Sequence, residues 1–185
     1  VLLPDYVPPA LVHRDEEFRW LARVFRPLVA SGASQRALIV GEIGVGKTVL
    51  AYKFGSELKT LAREKHVQLD YMHINCRKDK TPYTIYAKLV QHYNPRWPYH
   101  GLGPEKLLDM VLNYLEAHDR YLLLALDEID YFVNLNGPDL LFALTRAAED
   151  KGLKNRISLL AIAHEKRFLD RLDPPTRSTF MHNFL

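Results

Sequence analysis

A glycine-rich stretch early in the chain carries the strongest chemical signal in the sequence. This P-loop, residues 41–48, has the spacing Gly, four residues, Gly, Lys, Thr. Glycines let a backbone curl so that amide N–H groups point at phosphate oxygens, and a following helix adds partial positive charge. Lys47 would reach the β and γ phosphates and Thr48 would bind Mg²⁺; a chance Lys-Thr pair after a turn is the alternative. The residues predicted to bind the cofactor are Gly41, Gly44, Val45, Gly46, Lys47, Thr48 and Val49.

Two adjacent acids form the second signal. Asp127 and Glu128 directly follow the apolar run at residues 122–126, and ligands of open α/β sheets bind at the carboxyl ends of the strands. We expect Asp127 to hold Mg²⁺ through its hydration shell and Glu128 to orient and polarise an attacking water. The alternative is a solvated helix start. For Asp130, a helix cap or a surface charge is expected rather than a second metal ligand.

Three further polar residues are weaker candidates. His164 follows an apolar strand and could sense the γ phosphate, or it could be a surface histidine at a strand end. His13 and Arg14 follow a proline-rich segment and could line an adenine pocket, or they could be an exposed pair at the start of a helix.

The pattern of apolar segments predicts how these residues are positioned. Residues 1–14 contain three prolines and predict an extended arm. After it, strands alternate with helices, which predicts one α/β domain with a parallel sheet covered on both faces. The predicted strands are 37–40, 67–74, 121–126 and 157–163, and the predicted helices are 15–31, 47–65, 81–93, 104–118, 138–149 and 165–172.

Composition excludes several classes of protein. The 185 residues are 48% hydrophobic, enough for a real core, and the net charge of +3 permits a nucleic-acid partner without arguing for one. One cysteine cannot form an internal disulfide or a cysteine-rich zinc site. No apolar run is long enough for a bilayer, so no membrane partner is expected. The chain also lacks metal-binding histidine spacing, an acyl-transfer Gly-x-Ser-x-Gly motif and the guanine-reading motif of GTPases.

Aromatic and basic residues interleave in the middle of the chain. Such residues can stack on and neutralise nucleic acid, although core residues beside a solvated face give the same pattern. The residues concerned are Lys80, Tyr83, Tyr86, Lys88, Tyr93, Arg96, Trp97 and Tyr99.

Taken together, these motifs resemble the archaeal origin-recognition and cell-division-control type replication initiators, which are AAA+ ATPases. The resemblance runs from about Leu3 to Thr179. It is carried by the arm at 3–9 with His13-Arg14, the P-loop, the segment Ile74-Asn75-Cys76-Arg77 followed by Thr81-Pro82-Tyr83, residues 126–130, the leucine-threonine-arginine segment at 144–146, and residues 168–174.

The resemblance implies an AAA+ type parallel sheet sandwiched by helices, and binding and slow hydrolysis of ATP with Mg²⁺. It also implies origin double-stranded DNA, a replicative helicase and other initiator subunits as partners, and a cytoplasmic, nucleoid-associated location. In this family an insertion matching residues 81–108 faces DNA.

The sequence departs from the family pattern in three places. His164 stands where members usually carry Asn, and Pro175 stands where an arginine often follows Asp-Pro, with Arg177 two residues later. The match ends near Phe180, so we expect 1–185 to be an AAA+ core without the last core strand, the lid or the winged-helix domain, with weak or impaired hydrolysis. A nucleotide-dependent binding module with little catalysis, or another P-loop ATPase of the signalling or chaperone type, are the alternatives.

Overall fold

A four-stranded parallel sheet forms the centre of the part of the molecule that the structure describes. The computed structural model describes residues 14–181. The strands are β1 Arg36–Val40, β2 Gln68–Asn75, β3 Arg120–Asp127 and β4 Ile157–Ala163. They lie in the order β1-β4-β3-β2, and every neighbouring pair is parallel. Strands β1, β3 and β4 are mostly apolar because helices cover both faces of the sheet, whereas half of the residues of the edge strand β2 are polar.

In the part of the chain that the structure describes, seven α-helices and one 3₁₀ helix connect and cover the strands. On one face, α1 (Asp15–Ser31) and α2 (Lys47–Glu64) bury Phe18, Phe25 and Phe54 against Leu123 and Leu160. The other helices pack on the opposite face, so the predicted three-layer sandwich is confirmed. The α-helices are α1 Asp15–Ser31, α2 Lys47–Glu64, α3 Pro82–Tyr93, α4 Pro104–Ala117, α5 Ile129–Asn136, α6 Asp139–Asp150 and α7 Pro174–Met181, and the 3₁₀ helix is Lys166–Arg171.

The segment between β2 and β3 folds as the helix pair α3 and α4. A capping box between Thr81 and Thr84 starts α3. Farther along, Tyr93 and Trp97 pack on Tyr114 of α4, with ring centroids 4.9 and 5.5 Å apart. Most aromatic rings of this segment therefore pack against the core, as the alternative interpretation of the aromatic and basic pattern expected.

Two short helices were not predicted from the sequence. The two-turn helix α5 begins directly after Glu128 and ends before Gly137, so it is too short to show a helical apolar repeat. The other, α7, starts at two prolines, which a first helical turn accepts. On α7, Arg177 pairs with Asp170 at 3.0 Å. No helix within residues 14–181 is long and apolar enough to span a membrane.

Candidate functional site

The P-loop lies between the end of β1 and the start of α2, as the sequence predicted. Gly44 and Gly46 have φ angles of 83° and 85°, a left-handed conformation that glycine adopts without steric cost. The space beside Gly44 is open, since a Cβ added there would have no heavy atom within 4 Å. Among residues 14–181, no side chain caps the N-terminus of α2. Its first amides are therefore free to face a ligand.

Lys47 begins α2 and its side chain folds back over the loop. The residue is only 7% exposed, and Nζ donates to the backbone carbonyls of Gly41 at 2.6 Å and Glu42 at 2.7 Å. Burial lowers the pKa of Lys47 and outweighs the opposite influence of Asp127 and Asp130. A buried ammonium group held by neutral carbonyls is an arrangement that an incoming anion would stabilise.

Asp127, at the end of β3, receives hydrogen bonds from three neighbours. Thr48 Oγ1 donates to its Oδ2 at 2.6 Å, His73 Nε2 lies 3.1 Å from the same oxygen, and the Glu128 backbone N–H donates to Oδ1 at 3.0 Å. Burial alone would raise the pKa of Asp127. The hydrogen bonds from His73 and Thr48 outweigh burial, so its pKa lies below the usual value.

The meeting of Thr48 with Asp127 tests whether the site suits Mg²⁺. The Thr48 hydroxyl oxygen and the Asp127 carboxylate oxygen are 2.6 Å apart. Mg²⁺ usually takes one or two such oxygen ligands from a protein, and substrate phosphates and waters complete its coordination. Within residues 14–181 no three His, Cys, Asp or Glu side chains cluster as a metal cage. The residues therefore fit a magnesium ion shared with a phosphate ligand.

Glu128 has an unusual backbone conformation for a residue with a side chain. Its φ of 56° places it in the left-handed region immediately before α5. Its Oε2 is buried without a hydrogen bond among residues 14–181 and lies 3.8 Å from Arg77 Nε. The Arg77 guanidinium in turn lies over the Tyr131 ring, 5.1 Å from its centroid. The Glu128 carboxylate thus lies near Arg77 at a cavity that Ile43 of the P-loop also lines.

His164 follows β4 and lines a cavity of about 450 Å³ together with Glu128 and Arg77. Its backbone N–H donates to Asp130 Oδ2 at 3.0 Å, and its ring Nδ1 lies 3.5 Å from the same oxygen. The expectation for Asp130 as a helix cap or a surface charge is wrong. The residue is 8% exposed in the first turn of α5, because its carboxylate anchors the backbone that follows β4.

Arg14 contacts the P-loop directly. Its guanidinium donates to the Val45 carbonyl oxygen and also pairs with Glu17 at 3.4 Å. His13, the other residue predicted for an adenine pocket, lies outside the described residues. The structure therefore brings together the P-loop, Arg14, Asp127 and Glu128, and His164 lines the same cavity as Glu128.

Sequence reasoning missed His73, which touches the Asp127 carboxylate. His73 lies on β2 two residues before Asn75, a spacing that is visible in the sequence and puts both side chains on the same face of the strand. The β2–β3 register sets Asn75 beside Asp127 and His73 beside Ala125. That register depends on tertiary pairing, so no local motif could have revealed the contact.

Comparisons with known proteins match this architecture. A family model described as AAA domain matches residues 33–172. An ORC1-type DNA replication protein of Desulfurococcus amylolyticus is 36% identical over 179 residues, covering 97% of this chain and 45% of the relative.

Two solved structures are also similar. The Aeropyrum pernix ORC1 protein in complex with DNA is 31% identical with a TM-score of 0.81, covering 100% of this chain and 47% of that one. The Aeropyrum pernix ORC2 protein, at 24% identity and a TM-score of 0.84 over 99% of this chain and 49% of that one, shows the shared fold alone. The chain spans about half the length of the proteins it matches.

Proposed function

Because the chain belongs to the AAA domain family and is similar to ORC1-type DNA replication proteins over nearly its whole length, we propose that it is the ATP-binding and ATP-hydrolysing core of a DNA replication initiator. The observation that carries the proposal is the hydrogen bond between Thr48 and Asp127 beside the buried Lys47 ammonium. This hydrogen bond joins the start of α2 to the end of β3. A phosphate needs a positive charge and Mg²⁺ needs a negative charge, and Lys47 and Asp127 would supply the two charges side by side.

In this proposal the chain binds ATP or ADP through the P-loop. The amides of the loop and of the first turn of α2 donate to phosphate oxygens, and Lys47 turns its ammonium from the loop carbonyls to the β and γ phosphates. Val49, in the first turn, contributes its amide. Arg14, already held at Val45, would lie near the base together with His13.

Thr48 and Asp127 would hold Mg²⁺, which when bound neutralises charge on the phosphates. Asp127 would do so through waters of the ion, because one of its oxygens already accepts from Thr48 and the other from the Glu128 amide. Glu128 would orient the attacking water and act as the general base that accepts its proton. His164, which lines the same cavity as Glu128, would donate a hydrogen bond to the terminal phosphate.

Origin double-stranded DNA is the proposed macromolecular ligand, because one similar protein was solved as a complex with DNA. The exposed basic side chains of the α3–α4 segment, such as that of Arg96, would contact the phosphates of the DNA. Other initiator subunits and a replicative helicase would be further partners of a cytoplasmic, nucleoid-associated protein in which residues 1–185 form one AAA+ core.

DNA binding measured across a salt series tests the proposed DNA contact, since phosphate contacts give a negative slope of log affinity against log salt. A flat series would contradict it.

The nucleotide site is tested by Lys47→Ala. Removing a charge-assisted hydrogen bond costs about 1.5–3 kcal/mol, so binding of a fluorescent ATP analogue should weaken roughly 10- to 150-fold. Lys65→Ala is the matched control, because Lys65 is an exposed lysine beyond the C-terminal end of the same helix. Unchanged affinity of Lys47→Ala would refute the assignment of the site.

Hydrolysis is tested by Glu128→Gln. We expect nucleotide affinity within about threefold of the unmodified protein and single-turnover hydrolysis reduced at least roughly 100-fold, the usual scale of a lost acid–base group. We expect slow turnover even in the unmodified protein, because His164 and Pro175 stand where the family pattern has other residues. Equal hydrolysis by both proteins would refute this role of Glu128, whereas no measurable single-turnover hydrolysis by the unmodified protein would favour a nucleotide-dependent binding module with little catalysis.

A further inference from the structure

A hydrogen-bonded bridge runs from the helix after the P-loop to the acidic end of β3. Tyr71 Oη lies 3.0 Å from the Ala51 carbonyl oxygen of α2 and 3.0 Å from His73 Nδ1. At its other end the His73 ring reaches Asp127, with Nε2 3.1 Å from Oδ2. Tyr52 of α2 stacks on the imidazole, with centroids 4.0 Å apart and planes 15° apart. The His73 ring is thus fixed by contacts on its face and at both nitrogens.

These contacts define what His73 does to Asp127. A neutral imidazole with its hydrogen on Nε2 donates to Asp127 Oδ2. Its Nδ1 lies beside the Tyr71 hydroxyl, whose single hydrogen points either to the Ala51 carbonyl oxygen or to Nδ1. The side chain of His73 is only 5% exposed and that of Asp127 6%, so water does not readily replace this donor. Without it, Oδ2 would keep Thr48 as its side-chain donor, and the carboxylate would lose one of the contacts that fix its plane.

We propose that His73 is a positioning residue that orients the Asp127 carboxylate for Mg²⁺ and ties that orientation to α2. The inference rests on the proposed nucleotide function. His73 itself touches neither phosphate nor metal in this scheme. Partners that hold a metal-binding carboxylate in place typically change metal affinity 10- to 100-fold when they are removed, so the effect should appear in the magnesium dependence of binding.

The test compares His73→Phe with the unmodified protein. Phenylalanine keeps a ring on Tyr52 but removes both nitrogens. A fluorescent ADP analogue is titrated in EDTA and then at increasing Mg²⁺. We expect the Mg²⁺ concentration for half-maximal enhancement of binding to rise about tenfold, with affinity in EDTA unchanged. His92→Phe, at an exposed histidine of α3, is the matched control and should leave both quantities as they are.

Two more variants keep the inference testable if His73→Phe does not fold. His73→Gln restores an N–H donor in place of Nε2 and should return the half-maximal Mg²⁺ concentration to within about threefold of normal. Tyr71→Phe removes the partner of Nδ1 and should give an intermediate rise.

The outcomes separate this inference from the function it rests on. An unchanged Mg²⁺ dependence in His73→Phe, or an equal loss of affinity with and without Mg²⁺, would overturn the positioning role while leaving the nucleotide site intact. If His73→Phe does not fold, an unchanged Mg²⁺ dependence in Tyr71→Phe would overturn it. If the unmodified protein binds no nucleotide, the proposed function fails and this inference fails with it.

Discussion

Gly55→Ala should destabilise the protein, although the same change stabilises most helices. Gly55 lies in α2 where the Tyr71 ring of β2 crosses it. A Cβ at this position would lie 2.5 Å from the ring Cζ and closer still to two other ring carbons. Carbon atoms in contact prefer about 3.5–4.0 Å, so the ring must move by roughly 1 Å. It cannot move freely because its hydroxyl is bound to Ala51 and His73.

The magnitude follows from three contributions. Overpacking of this kind costs roughly 1–3 kcal/mol, and a displaced hydroxyl loses a hydrogen bond worth about 1 kcal/mol. Alanine recovers about 1 kcal/mol over glycine through helix propensity. The net loss in the free energy of unfolding should be about 1–3 kcal/mol, which for a chain of this size lowers Tm by roughly 2–12 °C.

Thermal and denaturant unfolding followed by circular dichroism measure this effect. Ser56→Ala, at the exposed neighbouring position of α2, is the control and should change Tm little or raise it slightly. In a Tyr71→Ala background the obstacle is gone, so Gly55→Ala should then be neutral or stabilising. A Gly55→Ala protein with a raised Tm in the unmodified background would refute the packing argument.

Three further predictions concern charge and burial. Arg120→Met should cost about 3 kcal/mol in urea unfolding, because it leaves the buried Asp70 carboxylate without its two hydrogen bonds at 2.9 Å; a loss below about 1 kcal/mol would contradict this. The lowered pKa of Asp127 means that its ionised form stabilises the fold above its unfolded pKa of about 3.9 and that this contribution is lost as the pH falls through the lower folded value. The difference in unfolding free energy between the unmodified protein and Asp127→Asn should therefore shrink below about pH 4, and a difference that grows on acidification would be evidence against it. Burial, followed by the nearby charge of Asp127, raises the pKa of the Cys76 thiol, so a thiol reagent should react with it only as denaturant unfolds the chain; rapid labelling under native conditions would disprove this.

The sequence predicted the parts of the site that depend on local order. A glycine spacing followed by Lys47 identifies a loop before a helix, and an apolar run places Asp127 at a strand end; the similarity to ORC1-type proteins confirms the family resemblance drawn from these motifs. The four strands also lie where the apolar runs predicted them. In each case the signal sits within about ten neighbouring residues.

Contacts that depend on tertiary packing could not be predicted from local sequence patterns. His73 reaches Asp127 only because β2 pairs with β3 in one particular register. Asp130 is buried because the backbone after β4 returns to it from 34 positions away. The left-handed backbone of Glu128 is likewise imposed by its surroundings, since nothing in its residue type favours that conformation.

β1, the strand that leads into the P-loop, pairs with its neighbour in the sheet only late in synthesis of the chain. Among the described residues, β1 pairs only with β4, and the hydrogen bond from Gln35 N–H to Ser158 Oγ beside this pair spans 123 positions. Closing so long a loop costs about 4 kcal/mol in chain entropy. A ribosome therefore releases the P-loop well before β4 exists to hold β1 in the sheet. If the chain binds nucleotide as proposed, the ligand would stabilise only the finished sheet and would report completed folding.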